Sequence, residues 1–316
     1  MLWRFIAKRF VALLAIIFVI SLGAFFLIHL LPGDPTITIL GPNATEQNRA
    51  ILMKQLGLDQ PMINQYLTWL GNVLHGDLGT SFILHQKVTT TISQAFPIDV
   101  ELVILSQIMA FGAAVPLAMA AAKRPNSTLD RALTTITFGA LALPAFVLIV
   151  LGVMVFAIYL HVFPGPGSYV PITQGFWTNI HAMLLPSIVM AVGSVVTYFR
   201  LLRSDLVATL QEDYILMARS KGASTKRIMW RHAFRPSSVS LMATAAINIG
   251  ALIAGAFVVE YLLQLPGLGY TLVAAINQDD YMTIQGIVLV VALAVVIINF
   301  VTDFLFSVID PRISRD

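Results

Sequence analysis

The sequence contains no cysteine and few charged residues, and both shortages limit what the protein can be. With no cysteine among its 316 residues, the chain can form no disulfide, thiolate nucleophile or cysteine-type zinc site. Charged residues make up 11% of the chain, whereas soluble proteins average about 25%. Hydrophobic residues make up 58%. This composition predicts a protein that lies in lipid.

Three kinds of functional site are also missing from the sequence. No Gly-x-x-x-x-Gly-Lys-Ser/Thr loop occurs, and Lys221-Gly222 lacks the glycine spacing needed to cradle a phosphate. No two of the six histidines lie four residues apart beside a carboxylate, the pattern that favours a metal site. We find no nucleophile with an adjacent base. We therefore expect no catalytic residue, metal site, cofactor or nucleotide site on this chain, and no nucleic-acid partner.

Six windows free of charge are long enough, or nearly so, to cross a membrane as helices. They cover residues 10–28, 102–122, 132–160, 182–199, 239–259 and 284–302. The third window is the longest and is expected to tilt or to extend past the membrane. The first window is expected to stay as a helix, because its apolar run is longer than the core of a signal peptide. These windows predict an all-α integral membrane protein with six transmembrane helices.

The distribution of lysine and arginine predicts the orientation of these helices. If the N-terminus is cytoplasmic, sixteen of the nineteen Lys and Arg residues lie in cytoplasmic segments. The other three, Arg49, Lys54 and Lys87, lie in one long outer loop. Positive residues concentrate on the cytoplasmic side of membrane proteins. Both termini are therefore predicted to be cytoplasmic.

The long outer loop, residues 32–101, is predicted to contain two short helices. Thr45 is expected to cap the first, which would end at Gly57, and Pro61 to open the second. Apolar residues recur in the second helix at helical spacing, which predicts one apolar face: Ile63, Tyr66, Leu67, Leu70, Val73 and Leu74. This loop is either a helical cap on the outer ends of the spans or a surface that touches a delivered substrate or its carrier protein.

The cytoplasmic loop, residues 200–238, is predicted to form a helix, a tight turn and a second helix. Asp213 is expected to cap the first helix, and Gly222 to end it in a left-handed conformation. Ser224 is expected to cap the second helix, and Pro236 to limit its far end. The basic residues suit anionic lipid headgroups, worth about 1 kcal/mol each. The exposed aliphatic residues suit docking in the groove of a partner protein.

The run DYILMARSKGASTKRIMWRHAFRP, residues 213–236, resembles the coupling motif of permease subunits in importers of the ATP-binding-cassette (ABC) class, in its peptide-permease form. In the wider family the motif begins with Glu-Ala-Ala, and a glycine follows four residues after the last alanine. Ala218 and Gly222 fit this pattern. Leu216 and Met217 replace the Glu and the first Ala, a departure that is usual in peptide-type members.

Motifs along nearly the whole chain resemble the first permease subunit of dipeptide and oligopeptide importers. They are the runs at 31–35 and 56–59 with Pro61, Gln65-Tyr66, Trp69-Leu70, the run at 76–81, Glu260 with the run at 266–269, and the run at 310–312. Asp99 stands where this family is expected to have Thr.

The resemblance implies the fold and the partners. The fold expected is the type I ABC importer transmembrane fold, with residues 1–316 forming one permease domain in the inner membrane of a prokaryote. The partners expected are a second homologous permease, two ATPase subunits or one fused ATPase that use ATP and Mg²⁺, an extracytoplasmic binding protein, and membrane lipid. The residues that it implies for coupling to the ATPases are Asp213, Tyr214, Ala218, Arg219, Lys221, Gly222, Arg231 and His232.

The translocation path is less marked in the sequence than the coupling loop. Pro144 interrupts the third window, where it predicts a stable kink or a bending point. Glu260 lies at the outer end of the fifth window and is a candidate for the rim or the lumen, and Asn248 is a candidate path residue inside the same window.

The expected cargo is a di- or oligopeptide. Importers of glutathione, a nickel complex or haem remain alternatives of the same type. A self-contained secondary carrier or channel is a further alternative, but carriers usually bury ionisable coupling groups within their spans. Such groups are scarce here.

Overall fold

The structure is a computed structural model that describes residues 2–30, 36, 40, 45–55 and 59–309. Helices dominate the described residues. They are α1 (Leu2–Leu30), α2 (Glu46–Gln55), α3 (Met62–Leu74), α4 (Val88–Lys123), α5 (Thr128–Ala142), α6 (Ala145–Gly152), α7 (Phe176–Thr209), α8 (Asp213–Ser220), α9 (Thr225–Arg227), α10 (Phe234–Leu263), α11 (Leu268–Asn277) and α12 (Tyr281–Ile309). Two π-helical segments, Val153–Tyr159 and Ile228–Ala233, follow α6 and α9.

The described residues also include one short β-hairpin. Its strands are β1 (Thr80–Ser81) and β2 (Gln86–Lys87), which pair antiparallel with Thr80 opposite Lys87. The predicted motifs at residues 31–35, 56–58 and 310–312 lie outside the described residues.

Four helices in the described part of the chain are long and apolar enough to cross a membrane, and a bent pair raises the number to five. The four are Val88–Lys123, Phe176–Thr209, Thr225–Leu263 and Tyr281–Thr302. The bent pair is Thr128–Ala142 with Ala145–Tyr159. The protein is therefore all-helical with several membrane-spanning helices. The described apolar part of α1, Phe10–Phe26, is shorter than these spans.

The third predicted window is a broken helix. Its two halves meet at an angle of 100°, and the break falls at Leu143 and Pro144. Pro144 has no N–H to continue the hydrogen bonding of α5, and its extended backbone starts α6 as an N-cap. The sequence predicted that this window tilts or extends past the membrane, and that Pro144 forms a kink or a bending point. The structure has a sharp bend at Pro144, because the proline ends one helix and begins another.

The chain divides into two compact units. The first comprises Met1–Ile98 and Pro266–Asp316, and the second comprises Asp99–Leu265. In the first unit α12 packs against α1, and Gly286 lets α12 approach the start of α4, since an added Cβ would lie 2.5 Å from Val88 Cγ1. The carboxylate of Asp280 accepts hydrogen bonds from Ser81 at 2.5 Å and Thr283 at 2.6 Å, which ties the hairpin to the start of α12.

The second unit is built around α4, α7 and α10. Its core contains small residues of α4 against large residues of α7, including Tyr198, Phe199, Leu202 and Leu206, all of which are fully buried. Small side chains allow close approach of helices in a membrane. This packing positions the segment between α7 and α10, which holds the predicted coupling residues.

Candidate functional site

The candidate site is the segment Asp213–Ala223 with the start of the helix that follows it, and we call it the coupling segment. Helix α8 begins at Asp213, directly after Glu212. Asp213 was predicted to be the N-cap, and that prediction was wrong by one residue. It lies instead in the first helical turn, where a negative charge still favours the helix dipole.

Gly222 ends α8 as predicted. Its φ is +77°, a conformation that glycine adopts without steric cost. The N–H of Ala223 donates to the carbonyl of Ala218 at 3.1 Å, and the N–H of Gly222 donates to that of Arg219 at 2.9 Å. These two bonds are those of a Schellman motif. The turn therefore has one defined geometry, and it reverses the chain directly after α8.

The second helix of the coupling segment continues into the membrane-spanning helix Thr225–Leu263. Ser224 caps it as predicted, since its side chain accepts a hydrogen bond from the N–H of Arg227 at 3.4 Å. From there, helix extends without interruption over Thr225–Leu263. The prediction that Pro236 limits this helix was wrong. Pro236 lies in the first turn of α10, directly after the π-helical segment, and the helix continues through it.

Tyr214 satisfies the carbonyl that Pro236 leaves without its helical partner. Pro236 has no N–H to donate to the carbonyl four residues before it, which belongs to His232. The hydroxyl of Tyr214 donates to that carbonyl at 3.1 Å. Burial, and to a lesser degree the charge of Glu212, raises the pKa of Tyr214, so the phenol keeps its proton and remains a donor. This bond joins α8 to the start of the helix Thr225–Leu263.

The exposed face of the coupling segment is basic and apolar. Ile215 is buried and anchors α8, whereas Leu216 and Met217 are 68% and 58% exposed. The predicted residues divide by exposure: Asp213, Tyr214, Arg219, Lys221, Gly222 and Arg231 are exposed, and Ala218 and His232 are half-buried. The segment thus presents two aliphatic side chains surrounded by positive charges, a surface suited to docking on another protein.

A cavity of about 390 Å³ lies beside the coupling segment. Its walls include Arg219 and Ala223 from the segment, Leu210 from the end of α7, and Lys123 and Arg124 from the end of α4. The cavity therefore brings three cationic side chains together.

A bidentate ion pair holds the neighbouring turn in place. Asp130 is 1% exposed, and both of its oxygens accept hydrogen bonds from Arg203, one of them from Nη2 at 2.6 Å. Asp130 also accepts from the N–H of Asn126 at 2.8 Å. The pair fastens the turn between α4 and α5 to α7, ten residues before α8 begins. Our reading of the sequence missed it, although Ser127 three residues before Asp130 is a helix-capping pattern that could have indicated this turn.

Asn248 lies in a polar network within the second unit. Its amide donates to Ser194 Oγ at 2.7 Å and to Tyr198 Oη at 3.1 Å, and the Tyr198 hydroxyl donates to Gln107 at 2.9 Å. The network connects α4, α7 and α10 at one depth. The other two candidate path residues lie apart from it, since Pro144 is at the bend between α5 and α6 and Glu260 is fully buried near the end of α10.

A second polar cluster in this unit involves the loop before α7. The hydroxyl of Tyr169 lies 3.4 Å from Glu101 Oε2 and donates to it. Burial and the adjacent Glu101 carboxylate raise the pKa of Tyr169 to about 12, so this phenol also stays protonated. Asn179 is fully buried and donates to the carbonyl of Val170 at 2.9 Å. Tyr169 and Asn179 were not singled out from the sequence, because Tyr169 lies in a loop, Asn179 lies in the first turn of α7, and the two share no regular spacing.

Comparison with known proteins gives the family. Residues 114–315 match the family described as binding-protein-dependent transport system inner membrane component, and residues 1–103 match the N-terminal part of such components. The chain therefore belongs to the family of binding-protein-dependent transport system inner membrane components. It is a multi-pass membrane permease component of such a system, not its catalytic subunit.

Relatives of the same length support this membership. A protein of Brucella melitensis that carries the name of a peptide transport system permease is 33% identical over 316 residues, 100% of both chains. The oligopeptide transport system permease protein AppB of Bacillus subtilis is 32% identical over 311 residues, 98% of each chain. The glutathione transport system permease protein GsiC of Escherichia coli O6:H1 is 32% identical over 310 residues, also 98% of each chain.

Proposed function

We propose that this chain is one of two homologous permease subunits of an ABC importer for peptides. It forms half of the translocation path through six spans, α1 included, with both termini in the cytoplasm. ATP and Mg²⁺ are used by separate or fused ATPase subunits, and a binding protein delivers the cargo from outside. The observation that carries this proposal is the coupling segment: a helix, a rigid glycine turn and a direct continuation into a span.

The geometry of the coupling segment supports a mechanical role. A partner that moves α8 would also move the fifth span, because the two are rigidly connected. The connection consists of the Schellman turn, the bond from Tyr214 to His232 and the uninterrupted helix Thr225–Leu263. Docking would bury Leu216 and Met217. Complete burial of such a side chain stabilises a contact by about 1.5–3 kcal/mol.

The basic residues of the coupling segment give the docking contact its charge. Within the described residues, Arg219, Lys221 and Arg231 form no ion pair, so their charges are available to acidic groups on an ATPase. Asp213, Ala218, Gly222 and His232 shape the segment. We assign Asn248, Pro144 and Glu260 to the path or its rim, with the bend at Pro144 as the place where the third span changes its angle.

The cargo is a di- or oligopeptide, since relatives of full length carry the names of peptide and oligopeptide permeases. Glutathione is a second candidate, because a relative of equal coverage and similar identity carries the name of a glutathione permease. Glutathione is itself a small peptide, so both cargoes suit the same kind of path.

Purification of this chain from its native membrane in mild detergent tests the proposal. We expect it to bring a second permease and ATPase chains with it. We also expect the hydrolysis of ATP by this complex to rise when the binding protein is added with a dipeptide, an oligopeptide or glutathione, and the cargo that gives the rise identifies the substrate. A chain recovered alone and without ATPase activity, from a preparation in which a known importer stays intact, would contradict the importer and favour a carrier or channel.

A further inference from the structure

The helix α3 in the outer loop has its buried face against the middle of α1. Tyr66 is 6% exposed and Ser21 is 4% exposed. The Tyr66 ring makes edge contacts with Phe18 and Phe25, with centroids 6.5 Å and 5.4 Å apart, and Trp69 lies 5.8 Å from Phe25. Since Phe18, Ser21 and Phe25 are spaced three and four residues apart, they form one face of α1.

A hydrogen bond fixes the depth of this contact. The Ser21 hydroxyl donates to the carbonyl of Phe18 at 2.8 Å, so the Tyr66 hydroxyl, 2.7 Å away, donates to Ser21 Oγ. Ser21 lies nine residues before the end of α1 at Leu30, a distance of about 13 Å along a helix. The middle of α3 is therefore alongside the apolar part of α1 and not above its outer end.

The remaining surface of α3 has two sides of different character. Ile63, Leu67 and Leu74 are 63%, 58% and 77% exposed and lie on one flank, next to the face that covers α1. Asn64, Thr68 and Asn72 are also exposed, in the next sector around the helix. At 100° per residue, the three aliphatic residues fall within about 40° of one another, and the polar residues occupy a separate sector of about 80°. The helix is therefore amphipathic, and α1 covers only part of its apolar surface.

We propose that α3 lies in the outer leaflet of the membrane, with the flank of Ile63, Leu67 and Leu74 in contact with lipid acyl chains and the polar side facing water. The two interpretations open from the sequence, a cap on the span ends and a surface for cargo or carrier, both put this helix outside the lipid. The contact at Ser21 favours lipid as the occupant, because it holds α3 beside the apolar middle of α1, whose side chains Phe18 and Val19 are themselves exposed. An amphipathic helix that is held at this depth gains free energy from each apolar side chain that it inserts.

The inference rests on the proposed function in one respect, which is that α1 is a membrane span whose N-terminal end is cytoplasmic. A spin-label experiment separates the two claims. Since the natural chain has no cysteine, a nitroxide can be attached to single cysteines at Leu67→Cys, Asn72→Cys and Val19→Cys in the complex reconstituted into phosphatidylethanolamine–phosphatidylglycerol vesicles. All three positions are exposed, so the substitutions leave the packing of the core intact. The readout is the collision of the label with oxygen, which concentrates in lipid, and with a water-soluble nickel chelate.

We expect the labels at positions 67 and 19 to collide mainly with oxygen, and the label at position 72 to collide mainly with the nickel chelate. The oxygen-to-nickel ratio should differ at least tenfold between positions 67 and 72. If position 19 is in lipid but position 67 is as accessible to nickel as position 72, the inference is wrong and the importer topology stands. Low access of position 67 to both reagents also overturns it, because a protein partner then covers the flank. If position 19 itself is water-accessible, α1 is not a span, and both proposals fail.

Discussion

At the scale of single residues, Gly222 acts through its backbone conformation and not through a lack of space. Its φ is +77°, and a Cβ added there meets no atom within 4 Å in the described residues of this chain. A side chain would therefore have room, but a β-branched residue would strain the left-handed backbone by about 1–2 kcal/mol. The strain would open the Schellman turn and loosen the link between α8 and the fifth span.

We predict that Gly222→Val uncouples ATP hydrolysis from uptake, while Gly222→Asn retains most of the coupling. Asparagine tolerates the left-handed conformation better than valine does, so the two variants add side chains of similar size with different strain. The measurement is the ratio of cargo transported to ATP hydrolysed in reconstituted vesicles, with membrane insertion checked separately. Normal uptake by the valine variant would contradict a coupling role for this turn. Equal impairment of both variants would show that a partner surface excludes any side chain there.

The hydrogen bonds of Tyr214 and Asn248 depend on residues that lie far from them along the chain. Both were selected from the sequence, one by a motif and the other as a candidate on the path. The bond from Tyr214 to the His232 carbonyl depends on Pro236, and the bonds of Asn248 depend on residues of α7 that are 54 and 50 positions away. No spacing along the chain indicates either contact, because both are made between helices.

At the scale of secondary-structure elements, the pair of Asp130 and Arg203 connects the turn between α4 and α5 to α7. The side chain of Asp130 is 2% exposed, whereas the side chain of Arg203 is 27% exposed and can still reach water. Removing one partner leaves a buried charge without compensation, which is more costly than removing both.

We predict that Asp130→Asn destabilises the protein by about 2 kcal/mol, less than the 3–5 kcal/mol of a fully buried pair because Arg203 is partly solvated. The apparent Tm in detergent should fall by roughly 4 °C. In a double-mutant cycle, Asp130→Asn with Arg203→Gln should cost less than the sum of the single changes. The control is Arg200→Gln, which removes a cation that stacks on Phe138 at 4.6 Å. The effect of Arg200→Gln should add to that of Asp130→Asn. If Arg203→Gln is also additive with Asp130→Asn, the ion pair does not stabilise the protein.

The elements also show where local sequence signals are sufficient. Thr45, Pro61, Ser224 and Gly222 begin or end helices as their types predict, because capping depends on the few residues around them. Pro144 and Pro236 have different effects on the helices in which they occur. Pro144 is the N-cap of a new helix at a sharp bend, whereas Pro236 lies in the first turn of a helix that continues.

At the scale of the whole molecule, the distribution of Lys and Arg predicts the side of the membrane on which each loop lies. Ser168 is exposed in the segment between the bent helix pair and α7, and Ser220 is exposed at the end of α8. In the proposed topology Ser168 is outside and Ser220 is in the cytoplasm. The absence of natural cysteine makes labelling at each position specific.

We predict that Ser168→Cys reacts with a membrane-impermeant maleimide in intact cells, and that Ser220→Cys reacts only after the membrane is permeabilised. Serine and cysteine are close in size, so neither change should disturb the fold. The measurement is the mass shift of the purified chain after labelling. The reverse pattern would show that the topology is inverted. Labelling of both positions in intact cells would show that both lie outside, so that the proposed single span between them is wrong.

The sequence by itself determined the class of protein: its apolar windows require helices in lipid, and its motifs indicate the permease family. It also determined the ends of several short helices, since caps and left-handed glycines act over a few residues. Only the tertiary structure decided the 100° break in the third window, the link from Tyr214 to His232, the pair of Asp130 with Arg203, and the position of α3 against the middle of α1. These features depend on which helix faces which. In a chain where nearly every span is apolar on all sides, the hydrophobic pattern does not indicate which helices pack against each other. The few polar contacts between helices are specific to one pair of helices.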